Sequence, residues 1–239
     1  MKKHFFNLVA VAILLMTVLA ACKKDPKGDG GGGGGSFAIE ATNIRIVNND
    51  NGIDSVKALI ITGEEKYPEG TYHWVGYETG VAKCENNGFR MFLCSTVPDE
   101  YLMSAYDDFG ELASDRNAKA VSVEIIPYNS AERECGKLLC YDVTEEILRC
   151  EIIHTYADRN FTLKGSEGSD YIYTYDCNFR RGWNFVYLLY EDYKEVKITT
   201  KRPSGIDLKW HYYSYSYVKK NPKPTKLFPF HLDKSEITK

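Results

Sequence analysis

Beyond residue 36 apolar and polar positions alternate along most of the chain, and the period is two rather than 3.6. Residues 37–47 and 55–62 read as strands joined by a tight Asn51-Gly52 turn, and 71–78 follows with Tyr72, Trp74 and Tyr77. Asn87-Gly88 is a second hairpin signal, between 81–85 and 89–94. In that second run Phe89, Met91 and Leu93 share one face while Arg90 and Phe92 share the other. The stretch 98–106 predicts a short helical turn started by Pro98, and 107–117 a polar loop. Strands resume at 120–128, 138–141, 147–156, 161–164, 171–177, 183–190, 195–200 and 206–218, although 145–149 also fits a helical turn. No exact repeat of twenty to fifty residues is visible.

About a dozen short strands with turns every eight to twelve residues predict an all-β fold, an antiparallel β-sandwich. A single β-barrel is the alternative. Helical stretches of ten residues do not alternate with the strands, which excludes an α/β sheet. The polar run 129–136 is the best internal boundary. It divides an N-terminal β region, 37–130, from a tyrosine-rich C-terminal β region, 131–221, so two domains stay open. Pro222, Pro224 and Pro229 mark 222–239 as an irregular tail.

The first residues break the pattern. Lys2 and Lys3 precede an apolar run from Phe5 to Leu19, interrupted only by Asn7 and Thr17. That is the length of a signal-peptide core and short for a spanning helix. It ends in Leu19-Ala20-Ala21-Cys22, which resembles the lipobox of bacterial lipoproteins. The resemblance implies that residues 1–21 are removed and that Cys22 becomes the acylated first residue. Two or three acyl chains hold a protein on a membrane where one does not. Cys22-Lys23-Lys24-Asp25 looks like the start of Bacteroidetes-type lipoproteins. Lys23 in place of an Asp leans towards the outer membrane, and the mixed charge of the stretch leaves periplasm-facing and cell-surface locations both open. Residues 22–36, with six consecutive glycines, form a flexible tether.

Charge narrows the partners. Removal of Lys2 and Lys3 with the leader takes the basic residues from 30 to 28 against 33 acidic ones, a formal −5. A mildly acidic surface argues against nucleic acid, leaving the membrane, through the lipid, and a glycan or protein ligand. Six cysteines remain after Cys22, an even number in a compartment that permits disulfides, without zinc-ligand spacing. Disulfides and free thiols are both open.

Candidate chemistry is sparse. The histidines have no metal-ligand spacing, and no nucleophile elbow, phosphate loop or dinucleotide fingerprint occurs, so neither catalytic nor metal-binding residues nor a cofactor are expected. Asn49 to Asp54 superficially resembles a calcium loop but reads better as a hairpin turn. The one excess is aromatic, with 18 tyrosines in 239 residues. Tyr171, Tyr173 and Tyr175 alternate onto one face. Tyr213, Tyr215 and Tyr217 do the same with His211, and Trp210 begins the opposite face. Such rows are either cross-strand packing or a binding face for sugar rings or a protein. The expectation is a lipid-anchored, non-enzymatic binding module using these residues, with a pilus-like assembly subunit as alternative. A hydrolase ranks third, to be favoured only if two acids or a His–acid pair converge in a cleft.

Overall fold

The structure, a computed structural model, describes residues 37–48, 52–66, 72–144, 147–191 and 194–214. Cys22, Tyr215, Tyr217 and the tail lie outside the described residues, as do residues 49–51 of the Asn49–Asp54 stretch. The period-two pattern is realised as strands almost throughout: β1 (Ala38–Ala41), β2 (Arg45–Asn48), β3 (Ser55–Lys66), β4 (Tyr72–Lys83), β5 (Phe89–Phe92), β6 (Met103–Ser104), β7 (Lys119–Tyr128), β8 (Gly136–Thr144), β9 (Ile147–Ala157), β10 (Phe161–Glu167), β11 (Ile172–Phe179), β12 (Gly182–Tyr190), β13 (Glu195–Thr199) and β14 (Lys209–Ser214). The fold is all-β and sandwich-like, and its sheet does not close into a barrel.

One large sheet runs in the order β10-β11-β13-β12-β9-β7-β3-β4, and β1 pairs only with β5. Pairing is antiparallel with two exceptions, β11 with β13 and β14 with β2, which are parallel. The first exception arises because β13 folds back from β12 and inserts beside β11. Residues 129–136 are the turn between β7 and β8. Asn129 Oδ1 accepts from the backbone N–H groups of Ala131 and Arg133, and Tyr128 bridges to Glu134. The regions 37–130 and 131–221 share one sheet across this turn, through β7 on β9.

Three local features differ from the pattern reading. The second hairpin turns on Asn86-Asn87, both at positive φ, with Glu85 opposite Gly88. That is the backbone a two-residue type I′ turn demands. The expected break between 71–78 and 81–85 is absent, and β4 runs straight through Gly76 and Gly80. A Cβ on Gly76 would stand 2.0 Å from the Ile60 carbonyl oxygen, and one on Gly80 would stand 2.8 Å from that of Phe92. These glycines serve close backbone approach instead of a turn. The polar loop contains α1 (Ala105–Phe109), whose N-cap Ser104 accepts from the Asp107 N–H at 3.1 Å.

β9 and β12 are covered on both sides. One core joins Val56 and Ala58 of β3, Val123 of β7 and Tyr156 of β9 to Ile39 and Met91 of the β1–β5 pair, with Leu138, Trp210 and Tyr212. The other, on the opposite face, joins Phe161, Cys177, Leu188 and Val196 under Ala105 and Ala118 of the helical segment.

The feature that positions the site is a fork. β12 occupies one edge of β9 from Ala157 to Cys150. The other edge is divided. β7 takes it from Ala157 to His154, and β8 takes it from Glu151 to Ile147. Above the division β7 departs to pair with β3 through Glu124 to Tyr128, and β8 departs to pair with β14 through Gly136 to Tyr141. Edges of β7 near 124–126, β8 near 137–140 and β9 near 152–153 thus face one another without a ladder partner among the described residues.

Candidate functional site

The fork opens into a cleft of ≈ 530 Å³. This lies in the size range of small-molecule sites. Its walls follow from the strands that part around it. Because strands alternate their side chains, a gap through a sheet is lined from both faces. Ten Ile, Leu and Val side chains line it, among them Ile61, Ile126, Leu138, Leu139, Ile152 and Ile153, and Met103 stands at the mouth, 57% exposed. Trp74 and Trp210 add aromatic edges. Ser122, Glu124, Lys137, Glu151 and His154 supply the ionisable and hydroxyl groups.

Glu151 is the chemical centre of this cleft. It is half-buried, opposite Tyr141 on β8 and Leu188 on β12. The Tyr190 hydroxyl donates to its Oε2 at 3.2 Å, and Oε1 has no hydrogen-bond partner among the described residues. Burial pushes its carboxyl up to about 7. Glu124 pushes in the same direction, against the Tyr190 hydrogen bond and the Lys137 ammonium. His154 forms part of the floor at 3% exposure, enclosed by Phe37, Phe185 and Trp210, and burial holds its imidazole down at about 4. Cys140 in the wall is buried, and its thiol is pushed up to about 12. That thiol is a packing group, not a nucleophile. All six described cysteines are free thiols.

The aromatic residues singled out in the sequence do not assemble into one face. Trp210 is 8% exposed, its indole N–H donates to the Glu40 carbonyl at 3.2 Å, and its ring meets Phe89 edge-on. Only an edge of it reaches the cleft. Tyr213 points to the other side of β14, half-buried, where its hydroxyl is hydrogen-bonded to that of Tyr141. The β11 row does share a face, but that face turns into the second core. Tyr175 is buried against Phe109 with its hydroxyl on Glu167 at 2.6 Å, Tyr173 is half-buried, and Tyr171 is 49% exposed at the strand's end. β8, β9, β12 and β13 separate β11 from β14 in the pairing order. The two rows therefore offer no common platform for a sugar ring.

Glu124, Lys137, Leu139 and Glu151 escape a reading of the sequence alone. One signal for Glu151 was available, a single carboxylate flanked by Cys150 on one side and Ile152 and Ile153 on the other. Such a residue either reaches solvent past its neighbours or sits in a cavity. Neither a protein-family model nor a curated protein nor a solved structure matches this chain.

Proposed function

We propose that this chain is a lipid-anchored, extracytoplasmic binding protein, without catalysis of its own, whose ligand seat is the fork cleft. The observation that carries the reading is the composition of the cleft, ten aliphatic side chains around one half-buried carboxyl. A wall of that kind suits a ligand with an aliphatic body and one polar group, and suits a glycan less, since sugars need aromatic platforms and many hydrogen-bond partners. The membrane address rests on the lipobox resemblance at Cys22. Cys22→Ser moves the protein from the membrane to the soluble fraction on cell fractionation and abolishes labelling by radioactive palmitate; unchanged fractionation and labelling would remove the anchor from the reading.

The seat is tested with the mature chain from residue 22 carrying Cys22→Ser and the apolar fluorophore 1-N-phenylnaphthylamine. Saturable binding at one site per chain is expected. Leu139→Trp, which fills the cleft, and Met103→Trp, which obstructs its exposed mouth, each weaken it about tenfold with unchanged far-ultraviolet circular dichroism. Binding that ignores both substitutions places the seat elsewhere.

A hydrolase is the second reading, favoured by Glu124 and Glu151 meeting at one cleft with Glu151 still protonated near neutrality, as a general acid requires. The scarcity of polar groups to orient a substrate ranks it below binding. Turnover of p-nitrophenyl esters or glycosides that disappears in Glu151→Gln would reverse the order.

A further inference from the structure

We infer that the occupant of the cleft is an amphiphile with a cationic head, its aliphatic body between β7 and β8 and its head on Glu151. The inference rests on the fork cleft being the ligand seat and adds the ligand's chemical class. Volume sets the body. At about 30 Å³ per heavy atom, ≈ 530 Å³ holds roughly 18 such atoms, enough for a twelve-carbon chain and its head. The walls set its chemistry, because aliphatic side chains reward an alkyl or branched hydrocarbon body and give a polar one nothing to bond.

Charge sets the head. The ionisable groups that face Glu151 come from each strand around it: Glu124 on β7, Lys137 on β8 and Tyr190 on β12. Two carboxyl groups against one ammonium make the polar corner acidic once Glu151 ionises, and a cation beside it favours that ionisation. Tyr190 occupies Oε2, and Oε1 is the acceptor left for a ligand donor. An ammonium both neutralises Glu151 and bonds Oε1, and a charge-assisted hydrogen bond in a partly desolvated corner is worth more than a neutral one. A carboxylate head would meet the Glu124 charge and oppose the ionisation of Glu151, and a hydroxyl would gain the hydrogen bond without the charge.

Dodecylamine, dodecanol and dodecanoate, each below its micelle concentration, differ only in the head. Competed against 1-N-phenylnaphthylamine on the same Cys22→Ser mature chain, the amine is expected to bind about tenfold tighter than the alcohol, and the carboxylate weaker than the alcohol. Glu151→Gln, close to isosteric, brings the amine within about threefold of the alcohol. Equal affinities, or the carboxylate binding tightest, overturn the cationic head and leave the seat intact. Failure of all three to compete, or competition indifferent to Leu139→Trp and Met103→Trp, removes the seat and the head together.

Discussion

Trp210→Ala costs about 3–5 kcal/mol of stability, the range for deleting a large buried aromatic. Three losses coincide. The side chain fills the space between the β1–β5 pair and β9, where it touches Phe89 and lies parallel to His154 at a centroid distance of 6.2 Å. Its removal leaves a cavity that neighbouring strands, each held in a ladder, cannot close by moving. The Glu40 carbonyl also loses its indole donor at 3.2 Å. At about 2–4 °C per kcal/mol for a chain of this size, the midpoint of thermal unfolding falls by roughly 6–20 °C. The contrast is Tyr171→Ala, at a position 49% exposed, which stays within about 0.5 kcal/mol of the parent. Urea unfolding of the pair decides between packing and platform. A Trp210→Ala midpoint indistinguishable from the parent would mean that the indole is a surface group available to a ligand.

That contrast shows where the sequence is readable and where it is not. Alternation identifies the strands because a residue's neighbours in the chain determine which face it shares. It does not identify which face is covered. β14 is the clear case. Trp210, His211, Tyr212 and Ser214 are all buried, so both faces of this strand are packed and the aromatic rows carry no directional signal. Tyr212, fully buried with its hydroxyl on the Cys135 carbonyl at 2.9 Å, looks no different in the sequence from its half-buried neighbour Tyr213. Glycine is ambiguous in the same way. Gly80 falls in the gap between the predicted strands 71–78 and 81–85, and the β5 backbone that requires a missing Cβ there comes from a separate strand. The fork is the least legible feature of all. It depends on β7 and β8 dividing one edge of β9, a competition among three strands that no local pattern records. The sandwich-like β class follows from short-range alternation, whereas the cleft is a product of long-range pairing.

Between pH 6.5 and pH 4 the two buried histidines remove about 3–5 kcal/mol of stability. Burial holds His154 down at about 4, and burial reinforced by the Arg45 and Lys209 cations holds His211 at the same level. Their ordinary value is 6.5, which the unfolded chain keeps. As pH falls below 6.5 the unfolded chain takes up two protons that the folded chain refuses until about 4. The stabilising contribution is therefore complete above 6.5 and is lost on the way down. The rings of Phe37, Phe185 and Trp210 pack around His154 and leave its imidazole poorly solvated. His211 lies flat on Tyr141, at 4.0 Å between ring centroids. Glu151 acts in the opposite sense. With its carboxyl raised to about 7 from 4.5, the folded chain binds the proton first, so this residue adds stability as pH falls through 7 towards 4.5. The windows overlap and partly cancel, which makes the parent profile shallow and a substitution the informative measurement. Urea unfolding at pH 7.5 and 4.5 resolves them. His154→Phe should lose about 2–3 kcal/mol less than the parent on acidification, and Glu151→Gln about 1–2 kcal/mol more. Parallel profiles for parent and His154→Phe would mean that the imidazole is protonated in the folded chain, which the aromatic enclosure around it does not allow.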